Sequence, residues 1–334
     1  MPDSSNAHHS PASKSVQASS SDPIRYIAPG LASSRFKRIW VGPDGVRAGW
    51  ATCLFFVIVI GLAIAVGVVM HLLRHGAPRR AEITPGRTIV FELLMICVGL
   101  IGTKVMSLIE RRSWLSYGLR APHRLKHLGQ GLGWGIAVMS AVIGILVLTH
   151  AVTLDVASSD PSSVLESALL WALAFGLVAV NEELVCRGYA FFTLTSGTNA
   201  TVAAILLSVL FGAAHIHNLM ESPSGVISAG LFGIVLSIAV WRTGSLWWAV
   251  GFHAAWEWTE SFLFGAADGG QITSGHWLTT HAIGPIWLSG GSAGPEASVV
   301  VVPGLLATTL IIVLTLPRNP ARWVRRAVSA APQV

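Results

Sequence analysis

Residues 173–192 read LAFGLVAVNEELVCRGYAFF, an apolar run with two acids and one arginine at its centre. A charged side chain at the middle of a bilayer costs roughly 2.5–3.5 kcal/mol on insertion scales, so such charges indicate a function or a compensating pair. Glu183 and Arg187 are spaced i to i+4 with the acid first, which favours an ion pair along a helix. Glu182 is rotated ~100° from Glu183 and is predicted to remain available for a neighbouring helix.

The composition of the chain indicates a membrane protein that lies in a lipid bilayer. Of its 334 residues, 52% are hydrophobic and 11% are charged, whereas soluble domains carry about 25% charged residues. The formal net charge of +6 comes from basic residues that lie mainly between apolar runs, where they act as topology signals. Nucleic-acid binding is therefore not expected. The cysteines, Cys53, Cys97 and Cys186, lack paired spacing and are predicted to be small buried residues.

The fold class predicted from these runs is all-α, a polytopic membrane helix bundle with about eight transmembrane helices and a catalytic cluster inside the bundle. A helix needs roughly 17–25 residues to cross ~30 Å of hydrocarbon. The runs of suitable length are Trp50–Leu73, Thr88–Ile109, Leu128–Leu148, Leu165–Ser196, Ala200–His217, Val226–Trp241, Leu246–Phe264 and Val299–Leu316. Because the fourth is unusually long, its outer turns are expected to protrude from the membrane.

These segments divide the chain into five predicted regions. They are a disordered cytoplasmic tail (1–48), two transmembrane helices with a basic loop (49–127), a catalytic helix bundle (128–265), an extracytoplasmic loop (266–298), and a last transmembrane helix with a basic tail (299–334).

The distribution of Lys and Arg predicts the orientation, because these residues are retained on the cytoplasmic side. The loops 149–164, 218–225 and 265–298 contain neither residue, so they are placed outside and both termini are placed in the cytoplasm. The loop 74–87 carries four arginines yet falls outside by the same count, so the insertion of the first two segments stays open. The excess of Arg over Lys indicates a GC-rich genome, and we expect a multi-pass protein of a bacterial plasma membrane.

Two further apolar runs carry ionisable side chains. Residues 205–218 read ILLSVLFGAAHIHN, and residues 246–264 read LWWAVGFHAAWEWTESFLF. The Ser-Gly-Thr-Asn stretch at 196–199 is the turn chemistry between the fourth and fifth segments. Glu182 and His215 lie nearly equidistant from that turn, so an antiparallel helical hairpin places them at about the same depth.

The seventh segment adds two more ionisable groups inside the membrane. His253 is followed one turn later, on the same face, by Glu257. Packing does not require a cluster of Glu182, His215, His253 and Glu257 on three helices, and we therefore predict that it is functional.

Other polar residues are given less direct roles. His217 and Asn218 end a predicted helix and are expected at the membrane interface. Glu92 and Lys104 of the second segment are too far apart to pair with each other and are expected to contact other helices.

At these residues the sequence resembles the CPBP membrane proteases, which include the CAAX prenyl endopeptidases and the bacteriocin-processing or Abi proteins. The resemblance covers about residues 110–260. The family motifs are EExxxR, FxxxH and HxxxN or HxxxD, which match Glu182, Glu183 and Arg187, then Phe211 and His215, and then His253 with Glu257 in place of the usual Asn or Asp.

The resemblance implies hydrolysis of a peptide bond in a membrane-embedded peptide or protein. Water needs a base or a metal to become a nucleophile at neutral pH, and a carboxylate at Glu182 suits the base. His215 is expected to share or orient the water. His253 and Glu257 are expected to face the developing oxyanion, although Glu257 donates a hydrogen bond only when it is protonated.

The same four residues, Glu182, His215, His253 and Glu257, also provide a possible zinc or cobalt site. The resemblance leaves both a metalloprotease and a glutamic endopeptidase open, with Glu183, Arg187 and Phe211 in supporting roles. An HExxH motif is absent, which excludes the helix-borne geometry of zincins.

Two functions from other classes remain as alternatives. One is a non-catalytic membrane scaffold or immunity protein that retains the fold. The other is a proton-coupled transporter, since buried acids and histidines also relay protons. A transporter of this kind is typically built from inverted repeats, and the sequence shows no such symmetry.

Overall fold

A computed structural model describes residues 40–42, 45–73, 82–158, 160–218 and 220–317. The described part is a mostly helical polytopic bundle, as predicted. Its helices are α1 (Ala48–Leu73), α2 (Pro85–Ile109), α3 (Arg124–Leu148), α4 (Pro161–Glu183), α5 (Ala190–Gly197), α6 (Ala200–Ala214), α7 (Pro223–Thr243), α8 (Trp247–Glu257), α9 (Ile286–Ser289) and α10 (Val301–Thr315). Short strands are β1 (Val41–Gly42), β2 (Gly45–Val46), β3 (Glu82–Ile83), β4 (Val152–Val156), β5 (Ile272–Thr273) and β6 (Leu278–Ala282).

The predicted count of eight transmembrane helices is not confirmed. Within the described ranges, six helical segments are long and apolar enough to cross a membrane. They are α1, α2, α3, the continuous stretch Pro161–Gly197, the stretch Ala200–His217, and α7. The last two predicted segments are helical but shorter, because α8 passes into a π-helical turn after 11 residues and α10 has 15 residues.

The fourth predicted segment is not one uniform helix. A π-helical turn, Leu184–Tyr189, separates α4 from α5, and Gly188 within it has non-helical backbone angles (φ −76°, ψ −121°). Single π-helical turns of this kind occur frequently at functional sites. This turn carries Arg187.

The predicted turn at 196–199 is confirmed. Helix α5 ends at Gly197, and the side chain of Asn199 caps α6 by accepting a hydrogen bond of 3.0 Å from the Val202 amide. A turn also follows Thr243, since Gly244 ends α7 with φ 64°. Both ends follow from local sequence chemistry.

Helices α3 and α8 pack with their backbones in close contact. A Cβ atom on Gly131 would collide with the carbonyl oxygen of Trp248, and one on Gly251 would collide with that of Leu128. Small residues allow membrane helices to approach in this way. The position of α8, which carries His253, is fixed by this contact.

The loops that lack Lys and Arg lie on one side of the bundle. Strand β4 pairs antiparallel with β6, which joins loop 149–164 to loop 265–298, and the Met220 amide donates to the Gly269 carbonyl at 3.0 Å. The parallel pair β3–β5 brings residues 82–83 to the same side. The described end of the arginine-containing loop 74–87 therefore lies with the loops that lack basic residues.

Two predictions need correction. Cys53 and Cys97 are exposed, and Cys186 is only partly buried, because their helices present these side chains on the outside of the bundle. The predicted tail 1–48 reaches too far, since β1 pairs with β2 and α1 begins at Ala48. Residues 1–39 and 318–334, which include most of both predicted tails, lie outside the described residues.

Candidate active site

A buried ion pair connects the two turns of the EExxxR motif. Arg187 Nη1 lies 2.8 Å from Glu183 Oε1, and neither side chain has any exposed area. The Arg187 guanidinium carbon also lies 4.2 Å from the centroid of the Phe211 ring, within cation–π range. The predicted pairing of Glu183 with Arg187 is thus seen in the structure, and Phe211 of α6 covers the arginine.

His253 stands between three carboxylates. Its Nδ1 atom lies 3.0 Å from Glu183 Oε1, and its Nε2 atom lies 3.2 Å from Glu257 Oε1 and 3.7 Å from Glu182 Oε2. The side chain is 4% exposed. Both ring nitrogens of His253 therefore face acids from α4 and α8.

The two adjacent glutamates have different surroundings. Glu182 is 30% exposed, its Oε2 atom is buried, and that atom has no hydrogen-bond partner among the described residues. Glu183 is fully buried and paired. The predicted division between a compensated Glu183 and an available Glu182 is therefore seen in the structure.

His215 begins the 3-10 turn that follows α6. Its Nδ1 atom lies 2.8 Å from the Phe211 carbonyl oxygen, and because a carbonyl only accepts hydrogen bonds, Nδ1 carries the proton. When the ring is neutral, Nε2 is then the atom with a lone pair. The carboxylate of Glu182 interacts electrostatically with this ring, in keeping with the depth expected from the hairpin.

All four predicted residues line one cavity of about 560 Å³. Its other lining residues come mainly from α2, α4, α7, the end of α6 with the turn after it, and the loop 265–298. They include Arg87, Glu92, Phe175, Phe211, His217, Asn218, Phe232, Trp256, Asp268, Gln271 and Glu296. A cavity of this size suits a peptide side chain or a short peptide segment.

Several lining residues were not found from the sequence. Asp268 and Glu296 belong to the predicted extracytoplasmic loop, to which the sequence assigns no part of the site. They are the only acids between residues 265 and 298. That isolation among neutral residues was the available signal. Glu92 accepts a hydrogen bond of 2.9 Å from the Asn181 amide nitrogen, so its predicted contact with another helix is present. Lys104 lies exposed on α2.

The arrangement of these side chains does not fit a metal ion. Within the described ranges, no group of three or more His, Cys, Asp or Glu residues is placed to hold one. The contacts of His253 with Glu183 and Glu257 instead have hydrogen-bond distances.

A cluster of Glu and His side chains inside a polytopic helix bundle defines the class, an integral membrane protein with a candidate active site in its interior. Residues 164–259 match the family model described as type II CAAX prenyl endopeptidase Rce1-like. This match confirms the resemblance to CPBP proteases, supports a protease at the level of the family, and includes all four predicted site residues. No curated protein and no solved structure matches the chain.

Proposed function

We propose that this protein is an intramembrane endopeptidase in which Glu182 activates the attacking water. The observation that carries the proposal is that Glu182 lines the cavity and keeps 30% of its side chain exposed, while Arg187 pairs with the fully buried Glu183. A carboxylate that lines the cavity is positioned to accept a proton from water.

The proposed reaction uses the four residues in sequence. Glu182 removes a proton from a water molecule, and the resulting hydroxide attacks the carbonyl carbon of the scissile peptide bond. The same proton is then transferred from Glu182 to the leaving nitrogen as the carbon–nitrogen bond breaks. Nε2 of His215, held by the Nδ1 contact with Phe211, orients the water.

The second part of the site stabilises the oxyanion. His253 and Glu257 share a hydrogen bond of 3.2 Å beside Glu182. A proton carried by this pair is the donor closest to the proposed base, and a donor aimed at the developing negative charge usually contributes most to the catalysis of acyl transfer. Glu183 contacts the other ring nitrogen of His253, Nδ1, and is a positioning residue.

The proposed substrate is a membrane-associated peptide or protein, and the proposed location is a bacterial plasma membrane with both termini in the cytoplasm. The family name refers to prenylated substrates, but for a bacterial host we favour a substrate without a prenyl group. If a metal ion is used instead of Glu182 alone, Glu182, His215, His253 and Glu257 would have to move together to ligate zinc or cobalt.

The decisive experiment compares Glu182→Gln with Glu166→Gln. Both substitutions remove one carboxylate from α4 with an isosteric amide, but Glu166 is exposed near the beginning of the helix. Membranes that contain each variant are compared by proteomics for a peptide or protein that stays uncut. We expect accumulation with Glu182→Gln only, and unchanged Tm in detergent for both variants.

Accumulation of no uncut species with Glu182→Gln, in membranes where it is expressed and folded, would contradict the assignment of the base. A non-catalytic scaffold predicts that both variants behave like the wild type in this comparison.

A further inference from the structure

Beside the proposed catalytic residues, the cavity has an acidic wall that comes from the loop 265–298. Asp268 and Glu296 both line the cavity, and the charges of both interact with His215. The charge of Asp268 also interacts with Glu182. These two acids therefore lie close to the place where the scissile bond has to bind, yet the proposed hydrolysis does not use them.

The sequence holds Asp268 rigidly in this wall. Asp268 and Gln271 exchange two backbone hydrogen bonds of 3.0 and 2.9 Å around Gly269 and Gly270, both of which have positive φ angles. Positive φ at both central residues is the requirement of a type I′ turn, which explains the Gly-Gly pair. A Cβ atom on Gly269 would lie 2.6 Å from the Asn218 side chain, so the turn packs closely against the end of the α6 segment.

Glu296 is held by a separate contact. It lies in the 3-10 turn Pro295–Ala297, and Oε1 of its carboxyl group accepts a hydrogen bond of 2.6 Å from Trp256 Nε1. Trp256 is on α8, three residues beyond His253. The second acid of the wall is thus connected directly to the helix that carries the site.

A third acid, Glu260, is buried next to this wall without a counter-charge among the described residues. Its side chain is 0% exposed, and no described side chain donates a hydrogen bond to either of its carboxyl oxygens. Its charge interacts with those of Glu296, Asp268 and Glu257. Burying a negative charge without a partner is costly, and a cation bound at this wall would offset that cost.

Three loops on this side of the bundle contain no Lys or Arg, and of the arginines in the loop 74–87 only Arg87 is described. The loops 149–164, 218–225 and 265–298 have neither residue, and among the described residues that line the cavity Arg87 is the only one of these two types. Within the described part of the chain, no ion pair joins Arg87 to Asp268 or Glu296. Burial, followed by the charge of Asp268, raises the pKa of Glu296 to about 7, and the charge of His215 opposes this rise only in part.

We propose that Asp268 and Glu296 form a subsite that binds a basic side chain, Lys or Arg, of the peptide substrate close to its scissile bond. The proposal rests on the proposed protease function and adds a substrate class to it. A cationic side chain adds to the counter-charge of His215 at this wall, and both acids accept charge-assisted hydrogen bonds. The substrate is then an apolar peptide segment flanked by a basic residue.

Binding tests the subsite without requiring cleavage. Three fluorescent apolar peptides, identical except for one Lys, Gln or Glu, are titrated into the Glu182→Gln protein in nanodiscs at a pH above the pKa of Glu296. We expect the Lys peptide to bind roughly tenfold more tightly than the Gln peptide, which is about 1.4 kcal/mol. Equal affinities would overturn the proposal, and so would tightest binding of the Glu peptide, since Arg87 would then determine the selectivity.

Variants locate the selectivity. Asp268→Asn combined with Glu296→Gln should remove the preference for the Lys peptide and leave the affinity for the Gln peptide unchanged. The control is Asp155→Asn on β4, the strand that pairs with β6 of the loop 265–298. The side chain of Asp155 is 72% exposed, and this residue does not line the cavity. A preference that survives the double variant but is lost in Asp155→Asn also contradicts the assignment.

A cleavage assay distinguishes failure of the proposed protease function from failure of the proposed subsite. If the active protein cuts no membrane peptide but the Glu182→Gln protein still selects the Lys peptide, the proposed hydrolysis is contradicted. The subsite formed by Asp268 and Glu296 is then still supported. If cleavage occurs with no preference between Lys and Gln near the cut, the hydrolysis stands and the subsite is wrong. Misfolding of the double variant does not remove the test, because the three peptides probe the unaltered subsite.

Discussion

Glu183 and His253 are joined by a contact of 3.0 Å between Oε1 and Nδ1, and the same oxygen lies 2.8 Å from Arg187 Nη1. One carboxylate oxygen therefore connects the end of α4, the π-helical turn and α8. A second partner of this kind fixes the orientation of an imidazole ring and leaves its other nitrogen for chemistry. Here the other nitrogen, Nε2, faces Glu182 and Glu257.

The buried ion pair predicts a strong effect of removing one partner. Arg187→Ala should leave Glu183 as an uncompensated buried charge and destabilise the protein by roughly 3–5 kcal/mol. We expect lower yield and lower Tm in detergent, measured by thermal unfolding. A double variant, Glu183→Gln with Arg187→Met, removes both charges and should recover much of the stability. If Arg187→Ala melts with the wild type, the pair does not support the fold.

The close contact between α3 and α8 predicts that Ala substitutions at two neighbouring glycines have different effects on Tm and activity. Gly131→Ala adds a methyl group that collides with the Trp248 carbonyl oxygen, whereas Gly129 has open space at this position. Overpacking of a tight contact costs roughly 1–3 kcal/mol, so Gly131→Ala should lower Tm and displace His253, while Gly129→Ala should preserve both Tm and activity. Equal Tm values for the two variants would show that α8 does not depend on this contact.

The local parts of the site could be predicted from the sequence because they depend on helix geometry alone. The i to i+4 spacing predicted the Glu183–Arg187 pair, and the turn at 196–199 predicted the common depth of Glu182 and His215. The contributions of Asp268 and Glu296 depend on how a long loop folds back over the bundle, and no periodicity encodes that placement. The π-helical turn was also missed, because its residues fit an ordinary helix equally well.

Glu296 predicts a pH-dependent effect on stability. Burial, followed by the charge of Asp268, raises its pKa from 4.5 to about 7, so the folded state binds its proton more tightly than the unfolded state. Folding is therefore penalised progressively as the pH rises through this interval, and the penalty is complete above it. Glu296→Gln retains an acceptor for Trp256 and should raise Tm above pH 7 with little change near pH 4.5.

Thermal unfolding at both ends of this interval checks the effect, with Glu166→Gln as the exposed control. The same change in Tm at both pH values for Glu296→Gln would show that ionisation of this group does not penalise folding. The charged groups that act on Glu296 include Asp268, Glu221, Glu260 and His215, and none of them is altered in the variant.

Substitutions at Glu257 distinguish a glutamate-activated water from a metal-activated water. If the residue donates a hydrogen bond to the oxyanion, Glu257→Asn and Glu257→Gln should preserve or raise activity, since an amide donates at every pH and Gln keeps the reach of the native 3.2 Å contact with His253. If Glu257 is instead a metal ligand, both amides replace an anionic oxygen by a weaker neutral one, and metal and activity should be lost together. We expect the donor result, because Glu182 is the proposed base and the CPBP motif that the sequence resembles has Asn or Asp at this position. Activity against pH and elemental analysis of the purified proteins measure both properties.

Inactive amide variants that have lost a stoichiometric metal present in the wild type would reverse this expectation, and an active, metal-free Gln variant with a flatter pH profile would support it.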